Sequence, residues 1–284
     1  MSEAIKLGRT GTAIAYTIII LFTLFFFIPL FWMVVGSFKV SIDQFTLGFI
    51  PWLQYQPTLR NWIGELFIQS SENINALTNS TVIGLGSASI ATVLGVFAAY
   101  ALARYEFKKI KNANIVTYFL SLRFLPPIAM AIPFYVMMQS IGLIDNVLAV
   151  IIMHAGAFTP YAVLVIRDAF KSLPIAMEES AMVDGASLFT ILRKVVLPIV
   201  SPAIAAIFIL TFSFSWNEYL FAFVLTSKQA VTMPIRLAMT STSMGIFFAQ
   251  LSVRQLISVI PPIAFGVIVQ RYIVSGLTMG AMKA

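Results

Sequence analysis

Glu178-Glu179-Ser180-Ala181-Met182-Val183-Asp184-Gly185-Ala186, followed by Val195-Val196-Leu197-Pro198, is a polar break between two long apolar runs. Pro174 suits the first turn of a helix, where its missing N–H would have no intrahelical partner anyway, with Ser172 or Leu173 as the cap residue. Glu178 and Glu179 follow one turn in, and Met177 and Ala181, four apart, share a face. Gly185 fits the position just past a helix C-terminus, where a left-handed residue closes the turn. A second short helix would carry Leu188, Phe189, Ile191 and Leu192, and Pro198 and Pro202 mark entry into the next apolar run. The stretch reads as two short helices around a glycine, apolar on one face and acidic along the edges. A groove on a soluble partner grips amphipathic helices of this kind.

The segments around this break are built for hydrocarbon. Of 284 residues, 60% are hydrophobic and 10% charged, with a mean hydropathy of +0.94. A water-soluble domain carries about 25% charged residues, so the composition predicts an integral membrane protein. No charged residue lies between Arg9 and Lys39, nor between Glu72 and Arg104. A spanning helix needs about 20 apolar residues. Six spans are predicted near 12–36, 78–102, 113–138, 147–166, 199–225 and 252–274. Alternation over strands of about 10 residues would mark a β-barrel, and these runs are continuously apolar. The run after Arg9 is too long for a signal-peptide core and is read as a retained anchor.

Loop charges set the direction. Lys6, Arg9, Arg104, Lys108, Lys109, Lys111, Arg167, Lys171, Arg193 and Lys194 fall on one side, and Lys39, Arg60, Lys228 and Arg236 on the other. The positive-inside rule then places the N-terminus (1–11), the loop 167–198 and the C-terminal tail (276–284, with Lys283) in the cytoplasm. The net charge of +7 follows from that rule rather than from nucleic-acid binding. The external loop 37–77 holds Trp52, Tyr55 and Trp62, which suit a membrane–water boundary. It reads equally as a lid with interfacial anchors or as a contact for an external partner.

Polar residues inside the spans need a reason, since a central charge costs about 2.5–3.5 kcal/mol on insertion scales. Arg123, before Pro126-Pro127 where a helix should kink, is either a pathway group that hydrogen-bonds a polar solute or a snorkelling or internally paired charge that holds helices together. Glu218 is either a pathway group or part of a Trp216-Asn217-Glu218 cluster at a subunit contact. The lone His154 reads as a packed, satisfied residue. Asn79, Ser80 and Asn217 are candidate pathway-lining residues. Gly84, Gly86, Ser87, Ala88 and Ser89 permit close helix approach. The Phe-rich run of the first span faces lipid or packs. The absence of cysteine excludes disulfides and thiolate metal sites, and no metal site or catalytic residue is expected.

The spacing in the loop resembles the cytoplasmic coupling motif of permease subunits in binding-protein-dependent, ATP-driven importers. That pattern runs Glu-Ala-Ala, three residues, Gly, nine residues, Ile, one residue, Leu-Pro; Glu179, Ser180, Ala181, Gly185, Val195, Leu197 and Pro198 occupy its positions. Trp216-Asn217-Glu218-Tyr219-Leu220-Phe221-Ala222 with Met233-Pro234, Tyr100-Ala101-Leu102-Ala103-Arg104, Ile141-Gly142-Leu143 and the ending Gly276-Leu277-Thr278, Gly280-Ala281 and Lys283 are similar to the carbohydrate-uptake branch, maltose-importer permeases included.

The resemblance implies an all-α inner-membrane subunit of six helices (12–275). It implies partners: a second related permease, two ATP-binding subunits, an external solute-binding protein, membrane lipid and a small carbohydrate. ATP and Mg would sit on the partner subunits, since the chain lacks a Gly-x-x-x-x-Gly-Lys-Ser/Thr cradle and binds no cofactor itself. The residues implied for coupling to the ATPase are Glu178, Glu179, Ser180, Ala181, Asp184, Gly185, Ala186, Leu197 and Pro198. Gly276, Leu277, Thr278, Gly280 and Lys283 form a second implied contact. An intramembrane enzyme would need a paired nucleophile and base or clustered ligands, which one histidine and scattered carboxylates do not supply. A stand-alone channel or secondary carrier is the alternative, and it would have no use for a docking loop.

Overall fold

The structure, a computed structural model, describes residues 8–40, 43–44, 48–242 and 245–281. It is helical almost throughout: α1 (Arg9–Ser37), α2 (Arg60–Ile63), α3 (Ser70–Arg104), α4 (Asn112–Leu122), α5 (Pro127–Ser140), α6 (Val147–Lys171), α7 (Ala176–Val183), α8 (Leu188–Ile191), α9 (Leu197–Asn217), α10 (Leu220–Leu225), α11 (Met233–Ala238) and α12 (Phe248–Ala281). Two-residue strands β1 (Ser241–Thr242) and β2 (Gly245–Ile246) pair antiparallel. Five helices among the described residues are long and apolar enough to cross a membrane, or six if the bent pair α4–α5 is one span. Within the predicted tail, Lys283 and the side chains of Gly276, Leu277, Thr278 and Gly280 lie outside the described residues, although the α12 backbone runs to Ala281.

The chain divides into two compact units, 1–74 with 237–260, and 75–236 with 261–283. In the first, α1 is apolar and exposed on nearly every side chain between Ile14 and Val34. Its end is anchored where Gly36 approaches Ser252; an added Cβ would meet the Ser252 hydroxyl at 2.9 Å. The segment 60–68, expected to be loop, winds as α2 and a π turn, and α3 starts at Ser70 rather than near 78. Glu65 and Arg254 form a buried ion pair (2.7 Å), with Asn73 donating to Glu65 and Arg254 donating to Gln69. Lys39 is buried against the Trp32 and Tyr55 rings; burial pulls its ammonium below the ordinary lysine range, opposed by Asp43. Of the three expected boundary aromatics, Trp52 is exposed while Tyr55 is buried and Trp62 donates to the Ser37 hydroxyl.

In the second unit, the small residues of α3 let it lie close against α6 and α9. A Cβ on Gly84 would sit 2.8 Å from the Phe212 ring, and one on Gly86 3.0 Å from Ile151. The closest approach was not among the predicted positions: a Cβ on Gly95 would come within 2.6 Å of the Ala162 Cβ and 3.1 Å of its backbone. Ser89, predicted to join this contact, is exposed. The predicted third span is not a gently kinked helix. α4 and α5 meet at 90°, because the residue before a proline avoids helical backbone while Pro127 fits a first turn. The fifth span is likewise broken: Glu218 is extended (ψ 126°) between α9 and α10. On the loop joining α5 to α6, Asp145 adopts positive φ and its carboxylate accepts N–H bonds from Ser227, Lys228, Gln229 and Ala230. Burial opposes its ionisation, but these four donors outweigh it and hold the carboxyl well below its ordinary range.

Two measurements test this packing. Gly95→Val overpacks the α3–α6 contact and should cost about 1–3 kcal/mol, read as a drop in the thermal midpoint of the purified protein. Gly156→Ala, where nothing lies within 4 Å, should leave that midpoint unchanged or raised. Asp145→Asn should lower the midpoint at neutral pH. The carboxylate's contribution is present in full above its unfolded pKa, about 4, and is lost as pH falls through the depressed folded value. The gap between variant and parent should therefore stay constant from pH 8 to pH 5 and close only in stronger acid.

Candidate functional site

The polar break folds into a closed pair of short helices. Ser172 ends α6, its hydroxyl donating to the Ala169 carbonyl, so it caps the preceding helix and does not open α7. Pro174 lies just ahead of α7, its carbonyl accepting from Met177. Asp184 follows the last residue of α7, and Gly185 has φ +80°. The Gly185 N–H reaches the Met182 carbonyl and the Ala186 N–H the Ala181 carbonyl, both at 3.0 Å. This is the paired bond pattern of a Schellman closure. Ala181 and Ala186 pack against the same core, supplying the apolar contact that goes with it. Ser187 then caps α8, accepting from the Thr190 N–H. Residues 192–196 widen into a π turn, which leads into α9 at Leu197-Pro198.

The inner face of this pair is fixed by Phe170, Ile191, Leu192 and Val196, which share a buried cluster with Val96, Ala99, Tyr100, Ala162 and Ile166. A second lock is polar. The Glu178 carboxylate, 3% exposed, accepts 2.7 Å from the Tyr100 hydroxyl and 2.6 Å from Arg104 Nε. Arg104 Nη2 also reaches the Leu173 carbonyl. Glu178 therefore does not form an acidic outer edge as its sequence position suggested; it is turned inward and ties α7 to the end of α3. In the sequence Arg104 is a loop charge at the end of a family-like segment, and no local signal joins it to a residue so distant in sequence.

The outer face is different. Val183 is 88% exposed and Phe189 64%, with Ile175, Met182 and Leu188 also exposed. Glu179, Ser180, Asp184 and Pro198 are exposed around them, and Leu197 is partly so. An apolar knob rimmed by carboxylates thus projects from a rigid base.

The remaining sequence-predicted residues divide. Asn79 donates to the Gln229 and Val231 carbonyls, and the Ser80 hydroxyl accepts from the Met233 N–H, so both are engaged in holding α3 to the segment before α11. His154 is fully buried, as expected, with Nδ1 2.7 Å from the Ser215 hydroxyl and Nε2 3.0 Å from Glu218. Glu218 also accepts from the Phe221 and Ala222 N–H groups and so caps α10. Asn217 is exposed and donates to the Ser213 carbonyl. Arg123 is exposed in the α4–α5 break with its guanidinium 4.2 Å from the Tyr161 ring centre. Among the described residues no group of metal-ligating side chains is found.

A family model described as binding-protein-dependent transport system inner membrane component matches residues 91–278. The trehalose transport system permease protein SugB of Mycobacterium tuberculosis is 36% identical over 216 residues, covering 74% of this chain and 77% of its own length. The trehalose/maltose transport system permease protein MalG of Thermococcus litoralis is 31% identical over 261 residues, covering 90% and 91%. A chain from the crystal structure of a bacterial ABC transporter involved in the import of the acidic polysaccharide alginate shares the fold, with a TM-score of 0.69 at 22% identity over 94% of this chain and 98% of that one.

The Glu178–Arg104 link predicts strong coupling between distant positions. Arg104→Ala and Glu178→Ala should each cost about 3–5 kcal/mol by stranding a buried charge. The double substitution should cost much less than their sum. Thermal unfolding of the four proteins, followed by intrinsic fluorescence, measures that cycle, and additivity would show that the two side chains do not act as a pair.

Proposed function

This chain belongs to the family of binding-protein-dependent transport system inner membrane components, and on that premise we propose that it is the permease subunit of an ATP-driven carbohydrate importer. The substrate class is supported by relatives whose names specify trehalose, trehalose/maltose and arabinooligosaccharides. With α4–α5 taken as one broken span, the chain crosses the membrane six times, and both termini and the loop 167–198 lie in the cytoplasm. A second related permease completes the pathway, and an external solute-binding protein delivers the sugar. ATP and Mg are held by two ATP-binding subunits, so this chain hydrolyses nothing.

The observation that carries the coupling role is the knob around Gly185: exposed Val183 and Phe189 on a base locked by a Schellman closure, a buried core and the Glu178–Arg104 pair. A groove in one of the ATP-binding subunits grips this knob. When ATP draws those subunits together the knob moves as a lever, and α3, α6 and α9 follow because the lever is fastened to all three. The helices rock between inward- and outward-open populations, a rigid-body rearrangement. A channel or secondary carrier has no need of an exposed apolar knob beyond its spans.

The test is a substitution series at Gly185. Open space surrounds the residue, so only the left-handed backbone limits what it tolerates. Asn, which visits that region, should retain most function. Ala should lose about 1–2 kcal/mol, and Val should lose more. Sugar uptake should fall in the order Gly, Asn, Ala, Val while the protein still inserts and ATP hydrolysis continues uncoupled. Phe189→Glu should release the ATP-binding subunits on co-purification. Full uptake by Gly185→Val together with intact co-purification of Phe189→Glu would remove the lever.

A further inference from the structure

The segment that follows α1 carries an exposed apolar tip. Phe49, Ile50, Trp52 and Leu53 are all exposed, Trp52 at 75% and Leu53 at 78%. Trp52 adopts a φ of +62°, a left-handed backbone that is an outlier for so bulky a residue. Strain of this kind persists only where the surroundings impose it, and it gathers at functional sites. Here the surroundings are specific. The Trp52 N–H donates to the Tyr55 carbonyl (2.8 Å) and the Gln54 N–H to the Ile50 carbonyl (3.0 Å). Gln54 Oε1 accepts from the N–H groups of Phe49 and Ile50. Beneath the turn Tyr55 is buried, and the Lys39 ammonium packs on its ring and on that of Trp32. The Thr58 N–H donates to the Phe38 carbonyl, and the Asn61 side chain to the Ser37 and Lys39 carbonyls. The tip is therefore held outward on a fastened base.

Its place follows from α1. The exposed apolar side chains of that helix run from Ile14 to Val34, which at about 1.5 Å per residue is about 30 Å, the thickness of a hydrocarbon core. Trp32, near the end of the stretch, meets Phe49 edge-on at 5.1 Å. The tip thus stands level with the boundary between acyl chains and headgroups. Its chemistry suits that boundary. No charged residue lies between Asp43 and Arg60, so nothing on the tip resists acyl chains, whereas the knob around Gly185 is bordered by carboxylates. Tryptophan favours the boundary, burying its ring and keeping its N–H wet. Segments that lie on membranes sink Trp, Phe and Leu about 5–10 Å into it.

We propose that Phe49, Ile50, Trp52 and Leu53 form an interfacial anchor that inserts into the phospholipid leaflet around the Ser37 end of α1 and holds the following segment against the membrane. Of the three aromatics expected at this boundary, Trp52 alone reaches lipid, while Tyr55 and Trp62 build the base. The anchor requires that α1 spans the membrane and is independent of the cargo.

The chain contains no cysteine, so single cysteines can be spin-labelled. Ile50→Cys, Leu53→Cys and, as the water-exposed reference, Arg60→Cys are each assembled with cysteine-free partner subunits in phosphatidylcholine–phosphatidylglycerol vesicles. Collisions with oxygen, which dissolves in acyl chains, are compared with collisions with a water-soluble nickel chelate. The oxygen-to-nickel ratio should be severalfold higher at Ile50→Cys and Leu53→Cys than at Arg60→Cys. Equal ratios place the tip in water and overturn the anchor. So does immobilisation of the Leu53→Cys label only when a solute-binding protein is added, which would make the tip a protein contact. Trp52→Gly, which accepts the left-handed backbone without a clash, should leave the assembly intact yet lower the ratio at Leu53→Cys. An unchanged ratio in that variant would show that the Trp52 ring anchors nothing and would overturn the proposal.

Discussion

Hydrocarbon offers a backbone no hydrogen-bond partner, so every departure from α-helical winding in the apolar part of this chain has to be answered from within. Before Pro126, Arg123, Phe124 and Leu125 turn back their N–H groups to carbonyls three residues earlier. At the end of α9, the Glu218 carboxylate takes the free N–H groups of Phe221 and Ala222. Ahead of Pro198, which cannot donate, the chain widens to a π turn over 192–196; such bulges let a helix absorb an irregularity without opening. Each break therefore holds a fixed shape.

The same economy governs charge. The buried carboxylates Glu65 and Glu178 each meet an arginine, Arg254 and Arg104 respectively, with further neutral partners filling their remaining lone pairs. A buried pair of this kind is weak evidence for net stability, since desolvation offsets the attraction. Its value lies in geometry. Glu178 accepts only where Tyr100 and Arg104 stand, so α7 is held in one register against the end of α3. The apolar cluster beneath the loop joins it to α3, α6 and α9, and the ion pair adds a directional tie to the end of α3.

Much of this was legible in the sequence. The uncharged runs located the long helices, and Gly185 followed by Ala186 announced the left-handed closure that the backbone adopts. What sequence could not supply was tertiary. Glu178 and Glu179 are adjacent and chemically identical, yet one is buried and the other exposed, because only the first points at Arg104. Asn79 and Ser80 look like pathway groups until their partners at 229–233 are seen. Gly95 differs from the other small residues of α3 only in having Ala162 opposite it. The stacking of Arg123 on Tyr161 and of Tyr161 on Phe214 joins three separate elements and could not be read from the sequence.

The exposed apolar surface of this chain is of three kinds, separated by chemistry. On α1 it surrounds the whole helix without an interrupting charge from Thr10 to Ser37, and at about 1.5 Å per residue that length exceeds the hydrocarbon thickness, so lipid or a neighbouring span satisfies it. Around Val183 and Phe189 it is small, convex and bordered by Glu179 and Asp184. Acyl chains would penalise those carboxylates, whereas a protein groove can hold the apolar tip and leave them hydrated at the rim. Along Tyr161 and Phe214 it is half-open and ends in an unspent guanidinium, which neither lipid nor a purely apolar groove would tolerate. A single class of covering partner cannot serve all three surfaces. Lipid suits the first, a soluble protein the second, and the exposed cation of the third calls for water or protein rather than acyl chains.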